Sequence, residues 1–387
     1  MEEVVIYETP QLGFEELSAI DKIDELRSQL RYYVAEPRRW FGSVRRVLSA
    51  RAIQGSNSIE GYNVSVEDAV AAIEGDAPEE ADDRDWEAIL GYRSAMTYVL
   101  QLAHDDYFEY SAALIRALHF MMAEYSMEAS PGLWRPGPIW VRNDATGDTV
   151  YEAPESDLVP GLVDELVRSL QAGRPGDQVL VRAAMAHLNL VMIHPFRDGN
   201  GRMSRCLQTL VLAREQILAP ELCSIEEYLG RNTDAYYRVL AEVGRGGWNP
   251  QGNALPWVRF CLEAHWVQAM SVLRRVRESE KIWNELELLI GVNRLPKRSI
   301  AALFDAAIGL RVRNASYRSI LEGWEESISN QVATTDLRAM VQAGLLVQQG
   351  KKRGTFYVAG GPVGEIRRNL REDRPAIDAT SLFEIAA

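Results

Sequence analysis

Residues 179–193, VLVRAAMAHLNLVMI, constrain the fold most. They are nearly all apolar on every helical face, so the segment predicts a helix central to the core. It falls short of the roughly 18 residues that cross a bilayer, and no other apolar run reaches that length. His194-Pro195 follows directly. Proline disfavours helical geometry in the residue before it, so the helix is expected to end at His194. That histidine is then carried at the end of a rigid element and faces a loop.

The remaining helical periodicity predicts a mainly α chain, with helices over 15–33, 43–60, 86–104, 111–125, 157–172, 203–215, 224–230, 232–243 and 255–290. GDAPEEADDRD (75–85) is an acidic, Gly- and Pro-bearing connection expected to be solvated. Residues 131–155 break the pattern: IWVRN, a turn at 144–148 and TVYEAP predict a β-hairpin. With 387 residues the chain has room for two or three domains. Cys206, Cys223 and Cys261 are odd in number and far apart, which fits neither a disulfide framework nor a CxxC metal site. The acidic N-terminus has no basic region leading into an apolar stretch. A cytoplasmic protein with no membrane partner is expected on both grounds.

The net charge of −13 argues against general nucleic-acid affinity. The charge is uneven, however: residues 292–360 hold ten Lys+Arg against five Asp+Glu, a basic module of +5 on a body of −18.

HPFRDGNGRMSR (194–205) concentrates chemistry. Gly199, Asn200 and Gly201 let backbone N–H groups converge into an anion nest. A helix starting near Arg202 or Met203 points its N-terminus at the same place. Arg202 and Arg205, three apart, share a face of that helix and suit phosphate. Asp198 supplies the hard oxygen that Mg²⁺ prefers, and Mg²⁺ arrives with phosphates. His194 is the one group here able to take a proton near neutral pH. A plain capped junction with Phe196 as a core plug explains the glycines, but not the charged groups around them.

This segment resembles the signature of Fic domains, H-x-F-x-D/E-G-N-G-R-x-x-R, at every defined position. The resemblance implies AMP transfer from ATP to a hydroxyl side chain of a protein, that is, a protein adenylyltransferase. By it His194 is the general base and Asp198 the Mg²⁺ ligand. Gly199, Asn200, Gly201 and Arg202 hold phosphates, and Arg205 holds the γ-phosphate. Kinase-like members carry lysine where this chain has Gly201. The hairpin corresponds to the family's target-docking flap, with Ile139, Trp140, Val141, Arg142 and Asn143 as its edge. Asn232, Tyr236 and Tyr237 resemble the segment lining the adenine pocket, although aromatics at that spacing equally suit a core. Ser56, Glu60 and Gly61 in IQGSNSIEGY resemble the inhibitory-helix motif S-x-x-x-E-G, placed N-terminal to the core; alone they would read as a solvated helix end. The implied brake is Glu60 paired with Arg205. The alternatives are removal of AMP from a protein, with Glu60 orienting water, and a DNA-binding regulator that senses nucleotide through the same site.

At the C-terminus, three helical segments followed by LLVQQ and TFYV, joined by GKKRG, resemble a winged helix-turn-helix. Thr334–Ala343 would be its recognition helix, with Arg338 facing a groove and Lys351, Lys352 and Arg353 at the wing tip. A docking or dimerisation domain is the alternative. The expected division is an N-terminal helical region with the inhibitory helix (1–105), a catalytic domain (106–290), the winged helix (292–360) and a tail that packs little (361–387). A protein substrate, which includes the chain itself, DNA through 297–360 and a homodimer are the expected partners. His119 and His187 read as hydrogen-bonded core histidines.

Overall fold

The computed structural model describes residues 5–36, 38–78, 80–142, 147–173, 178–215, 218–372, 374, 377 and 382–383. The fold is mainly helical, as expected. In order it runs α1 (Phe14–Ala35), α2 (Phe41–Ile59), α3 (Val66–Glu74), α4 (Asp83–Leu102), α5 (Ala112–Ala123), the hairpin β1 (Trp140–Arg142) and β2 (Thr149–Glu152), α6 (Val159–Gln171), α7 (Val179–Ile193) and α8 (Asn200–Arg214). Then come α9 (Pro220–Cys223), α10 (Glu226–Arg231), α11 (Thr233–Gly244), α12 (Leu255–Val292), α13 (Ile300–Ile308), α14 (Asn314–Gly323), α15 (Asn330–Gln342), the hairpin β3 (Leu346–Gln349) and β4 (Phe356–Ala359), and α16 (Gly361–Glu372).

By its contacts the chain forms two compact units. One holds Met1–Arg31, Leu48–Met270 and Asp378–Ala387, the other Tyr32–Val47 and Ser271–Ile377. This division differs from boundaries at 105 and 290, because α1, α2 and α12 each contribute residues to both units.

In the first unit α7 is central, with all but two of its residues buried. It packs on α6 and α8, and α8 in turn meets α4 and α5. Trp257 of α12 is fully buried and donates its indole N–H to the Ala184 carbonyl at 2.7 Å, which anchors α12 on α7. Desolvation keeps the buried histidines neutral: His187 is pushed down to about 3 and His119 to about 4. α3 is a helix that the periodicity did not predict. Its signal was a capping box, in which Ser65 accepts the Asp68 N–H and Asp68 accepts the Ser65 N–H. The buried Asp68 also accepts the Glu80 and Ala81 N–H groups, and Asp82 caps α4. The acidic connection is therefore tethered rather than simply solvated.

In the second unit α13, α14, α15 and the β3–β4 hairpin follow one another, and a bridge between Val312 and Tyr357 adds a short third strand position. Buried Tyr317 and the pair Arg298–Asp336 tie α14, α15 and the turn before α13 together. α15 begins at Asn330, four residues ahead of expectation, because Ser329 caps it through the Val332 N–H. Residues 361–372 form α16 against α13, with Val363 fully buried, so the expected loose tail starts later.

Candidate active site

α7 ends where Pro195 ends it. His194 is its C-cap, in the left-handed region at φ 52° and ψ 56°. Its Nδ1–H donates to the Val191 carbonyl at 3.1 Å, which leaves Nε2 as the proton acceptor. Burial moves its pKa below the ordinary imidazole value, opposed by the Val191 bond and by the charge of Glu60. The base form is therefore favoured.

The loop after it closes on itself. The Asn200 side chain accepts the Phe196 N–H and donates to the Phe196 carbonyl, both at 2.9 Å. Gly199 takes a positive φ of 76° and α8 begins at Asn200, two or three residues earlier than expected, because that ring of bonds replaces a cap. Asn200 is buried and its side chain is engaged by the Phe196 backbone. The N–H groups of the first α8 turn have no helical acceptor and converge on one point. Asp198 is exposed and accepts the Gly199 N–H at 2.7 Å. Among the described residues no three His, Cys, Asp or Glu side chains cluster as a metal site.

Two residues outside the motif hold the loop, and the sequence reading missed both roles. The His119 ring stacks on Phe196 with centroids 3.7 Å apart. Its Nδ1 accepts the Gly132 N–H, so Nε2–H donates to the Asp198 carbonyl, both at 2.9 Å. Buried Arg135 donates Nε to the His194 carbonyl at 2.8 Å, Nη1 to Gly137 and Nη2 to Pro154, the two roots of the flap. Its neighbours, WRPGP, carried the only sequence signal, a cation directly ahead of two prolines beside a strand.

Arg202 and Arg205 are both buried. Arg202 lies over the Tyr62 ring at 4.9 Å, and Tyr62 shares a hydroxyl hydrogen bond with Tyr125. Arg205 donates Nε to Ser56 Oγ at 2.7 Å, and Nη2 to the Ser56 carbonyl at 2.9 Å and Glu60 Oε1 at 2.6 Å. The Glu60 carboxylate covers Gly201 so closely that any side chain there would collide with it. Gly61, at φ 79°, turns the chain away behind it.

Of the tyrosine pair, Tyr236 takes the core alternative: it is 1% exposed and its hydroxyl donates to His187 Nε2. Positions 236, 239 and 243 of α11 face inward, which leaves Tyr237 half-exposed with its hydroxyl on the Ile59 carbonyl at 3.1 Å. Asn232 sits between α10 and α11 and donates to the Tyr228 carbonyl. In the flap, Trp140 pairs with Glu152 and Val141 with Tyr151, the Ile139 carbonyl accepts the Ala153 N–H, and Tyr151 is pinned by its hydroxyl to the Met192 carbonyl. The outer edge of β1 pairs with no strand among the described residues, and Asn143 lies outside them.

Residues 109–212 match the model of the Fic/DOC family. The protein adenylyltransferase fic-1 of Caenorhabditis briggsae is 28% identical over 216 residues, 54% of this chain and 37% of that protein. The protein adenylyltransferase Fic of Nematostella vectensis is 26% identical over 254 residues, 62% of this chain and 52% of that protein. The chain thus spans about a third to a half of the length of these curated relatives. In fold it is similar to a Fic family protein from Desulfovibrio desulfuricans G20, with a TM-score of 0.57 at 21% identity over 92% of this chain and 99% of that one. Residues 109–212 are a Fic domain.

The His194 geometry carries a pH prediction. With His194 as the base of a nucleotide transfer, the acid-limb midpoint of kcat/KM in a Glu60→Gly variant should lie below the ordinary imidazole value of about 6.5. Burial disfavours the imidazolium, and that variant removes a charge that favours it. An acid-limb midpoint at or above 6.5 in the pH–rate profile contradicts this assignment of the base.

Proposed function

We propose that the chain is a protein adenylyltransferase that moves AMP from ATP to a hydroxyl side chain of a protein and is held off by Glu60. The observation that carries this reading is His194 Nε2, left as acceptor beside an anion nest whose far side holds two buried arginines. His194 takes the proton of the target hydroxyl, whose oxygen attacks the α-phosphorus. The bond from that phosphorus to the bridging oxygen breaks and pyrophosphate leaves. The N-terminus of α8 and Arg202 stabilise the charge on the phosphates, and Arg205 would hold the γ-phosphate. Asp198 would bind Mg²⁺ together with those phosphates, since one carboxylate plus phosphate oxygens is an ordinary set for that ion. Bound there, the ion would neutralise phosphate charge.

Asn232 and Tyr237 are the remaining candidates for the adenine side. The free edge of β1 is where an extended target segment would add as a strand. Glu60 holds Arg205 through a short, charge-assisted bond in a largely desolvated place, so ATP cannot seat its γ-phosphate while that bond stands.

Label transfer from α-³²P-ATP with Mg²⁺, with the chain alone and with a cell extract, tests this reading. Glu60→Gly should raise labelling by at least about tenfold, one power of ten per roughly 1.4 kcal/mol of lost competition. His194→Ala added to it should abolish labelling. Labelling that is unchanged by either substitution contradicts the proposal and favours AMP removal.

For the second unit we infer a winged helix that contacts DNA. Its support is the order helix, bridge, helix, helix, hairpin, with Arg338 exposed on α15 and Lys351 and Lys352 exposed in the hairpin turn. Anisotropy of a labelled random duplex should report binding at low salt that weakens steeply as salt rises, and that Arg338→Ala with Lys351→Ala reduces severalfold. Absence of binding at low salt contradicts it.

A further inference from the structure

The helix that delivers Ser56 and Glu60 meets α10 backbone against backbone. Gly55, one residue before Ser56 on α2, and Gly230, in the last turn of α10, form the crossing. A Cβ added at Gly55 would lie 2.5 Å from the Glu226 carbonyl oxygen and 3.0 Å from the Glu227 Cα. A Cβ at Gly230 would lie 2.7 Å from the Gly55 Cα and 2.8 Å from the Gly55 carbonyl oxygen. The obstacles are main chain in both cases, and main chain cannot rotate aside as a side chain can. Glycine inside a helix is ordinarily a cost relative to alanine. Here it permits an approach that no other residue allows.

The crossing is bracketed by polar contacts. One turn earlier on α2, Arg51 meets buried Glu227 of α10 at 3.5 Å. One turn later, Tyr237 of α11 donates to the Ile59 carbonyl. The segment from α10 into α11 therefore cradles the whole C-terminal half of α2. The residue after the crossing, Ser56, offers both its hydroxyl and its carbonyl to Arg205.

We propose that Gly55 and Gly230 are positioning residues of the inhibited site: their close crossing sets the depth at which Ser56 and Glu60 reach Arg205. This rests on the reading of Glu60 as inhibitory. A Cβ needs about 3.4 Å from a carbonyl oxygen, so Gly55→Ala forces α2 back by about 1 Å. The bonds of 2.6 and 2.7 Å from Arg205 to Glu60 and Ser56 then stretch beyond hydrogen-bond range. α10 becomes the element on which the brake is seated, and any displacement of it from α2 weakens the brake.

The test compares the wild-type chain, Gly55→Ala, Gly230→Ala, Glu60→Gly and Gly55→Ala/Glu60→Gly for label transfer from α-³²P-ATP to the chain and to extract proteins. Each glycine variant should label about tenfold faster than wild type, and the double variant no faster and no slower than Glu60→Gly. A gain of activity separates positioning from mere destabilisation, because a damaged fold slows transfer. If Glu60→Gly accelerates labelling and both glycine variants remain at the wild-type rate, the seat is refuted while Glu60 keeps its role. A double variant slower than Glu60→Gly also refutes it, since the added Cβ would then be harming the catalytic unit. If Glu60→Gly itself changes nothing, the inhibitory reading fails and the seat falls with it.

Discussion

A guanidinium removed from water must have its charge met, and Arg205 is fully buried. Ser56 satisfies two of its donors and Glu60 supplies the counter-charge, while Nη1 finds no hydrogen-bond acceptor among the described residues. Glu60 is still 24% exposed, so the pair is neither a surface salt bridge nor a sealed one. Breaking a buried pair by removing one partner costs about 3–5 kcal/mol, and the solvent near Glu60 lowers that figure here. Whatever its size, the cost makes the vacancy left by Glu60 attractive to another anion. On the proposed reading the same desolvation would hold Glu60 against Arg205 and let a phosphate take its place. Glu226 is no substitute. Burial pushes its carboxyl up to about 7, and its hydrogen bonds go to Tyr92 and Thr209 rather than to Arg205.

Around that arginine the loop is built to stay still. Asn200 closes it from within, His119 holds its floor through the Asp198 carbonyl, and Arg135 fastens the His194 carbonyl to both roots of the flap. Three residues from separate parts of the chain therefore fix His194 and the nest, as the proposed transfer by positioning and charge stabilisation would require. Arg135 also ties the β1–β2 hairpin and His194 to one frame. An added strand on β1 would lie at a fixed height relative to Nε2.

Much of this was legible along the chain because it is encoded locally. The end of α7 at His194 follows from Pro195, the nest from Gly199 and Gly201, and the helical character from periodicity. The 194–205 pattern is long enough to point to its fold by itself. What was not legible depends on partners distant in sequence. His119 is ordinary within LIRALHFMM, and its role appears only when Gly132 and Asp198 reach its two nitrogens. Tyr236 and Tyr237 are indistinguishable until α11 turns one inward. Gly55 and Gly230 lie 175 positions apart and show their purpose only where two backbones touch. α3 and the earlier start of α15 were readable from Ser65 and Ser329, since caps are local.

The proposed inhibition makes Glu60 and the γ-phosphate competitors for Arg205. The most direct measurement is calorimetric titration of wild type and Glu60→Gly with Mg-ATP and, separately, Mg-ADP. If the two anions share Arg205, removing Glu60 tightens ATP binding by about tenfold or more and ADP binding much less, because ADP has no γ-phosphate. An equal change for both nucleotides, or none for either, would rule that competition out.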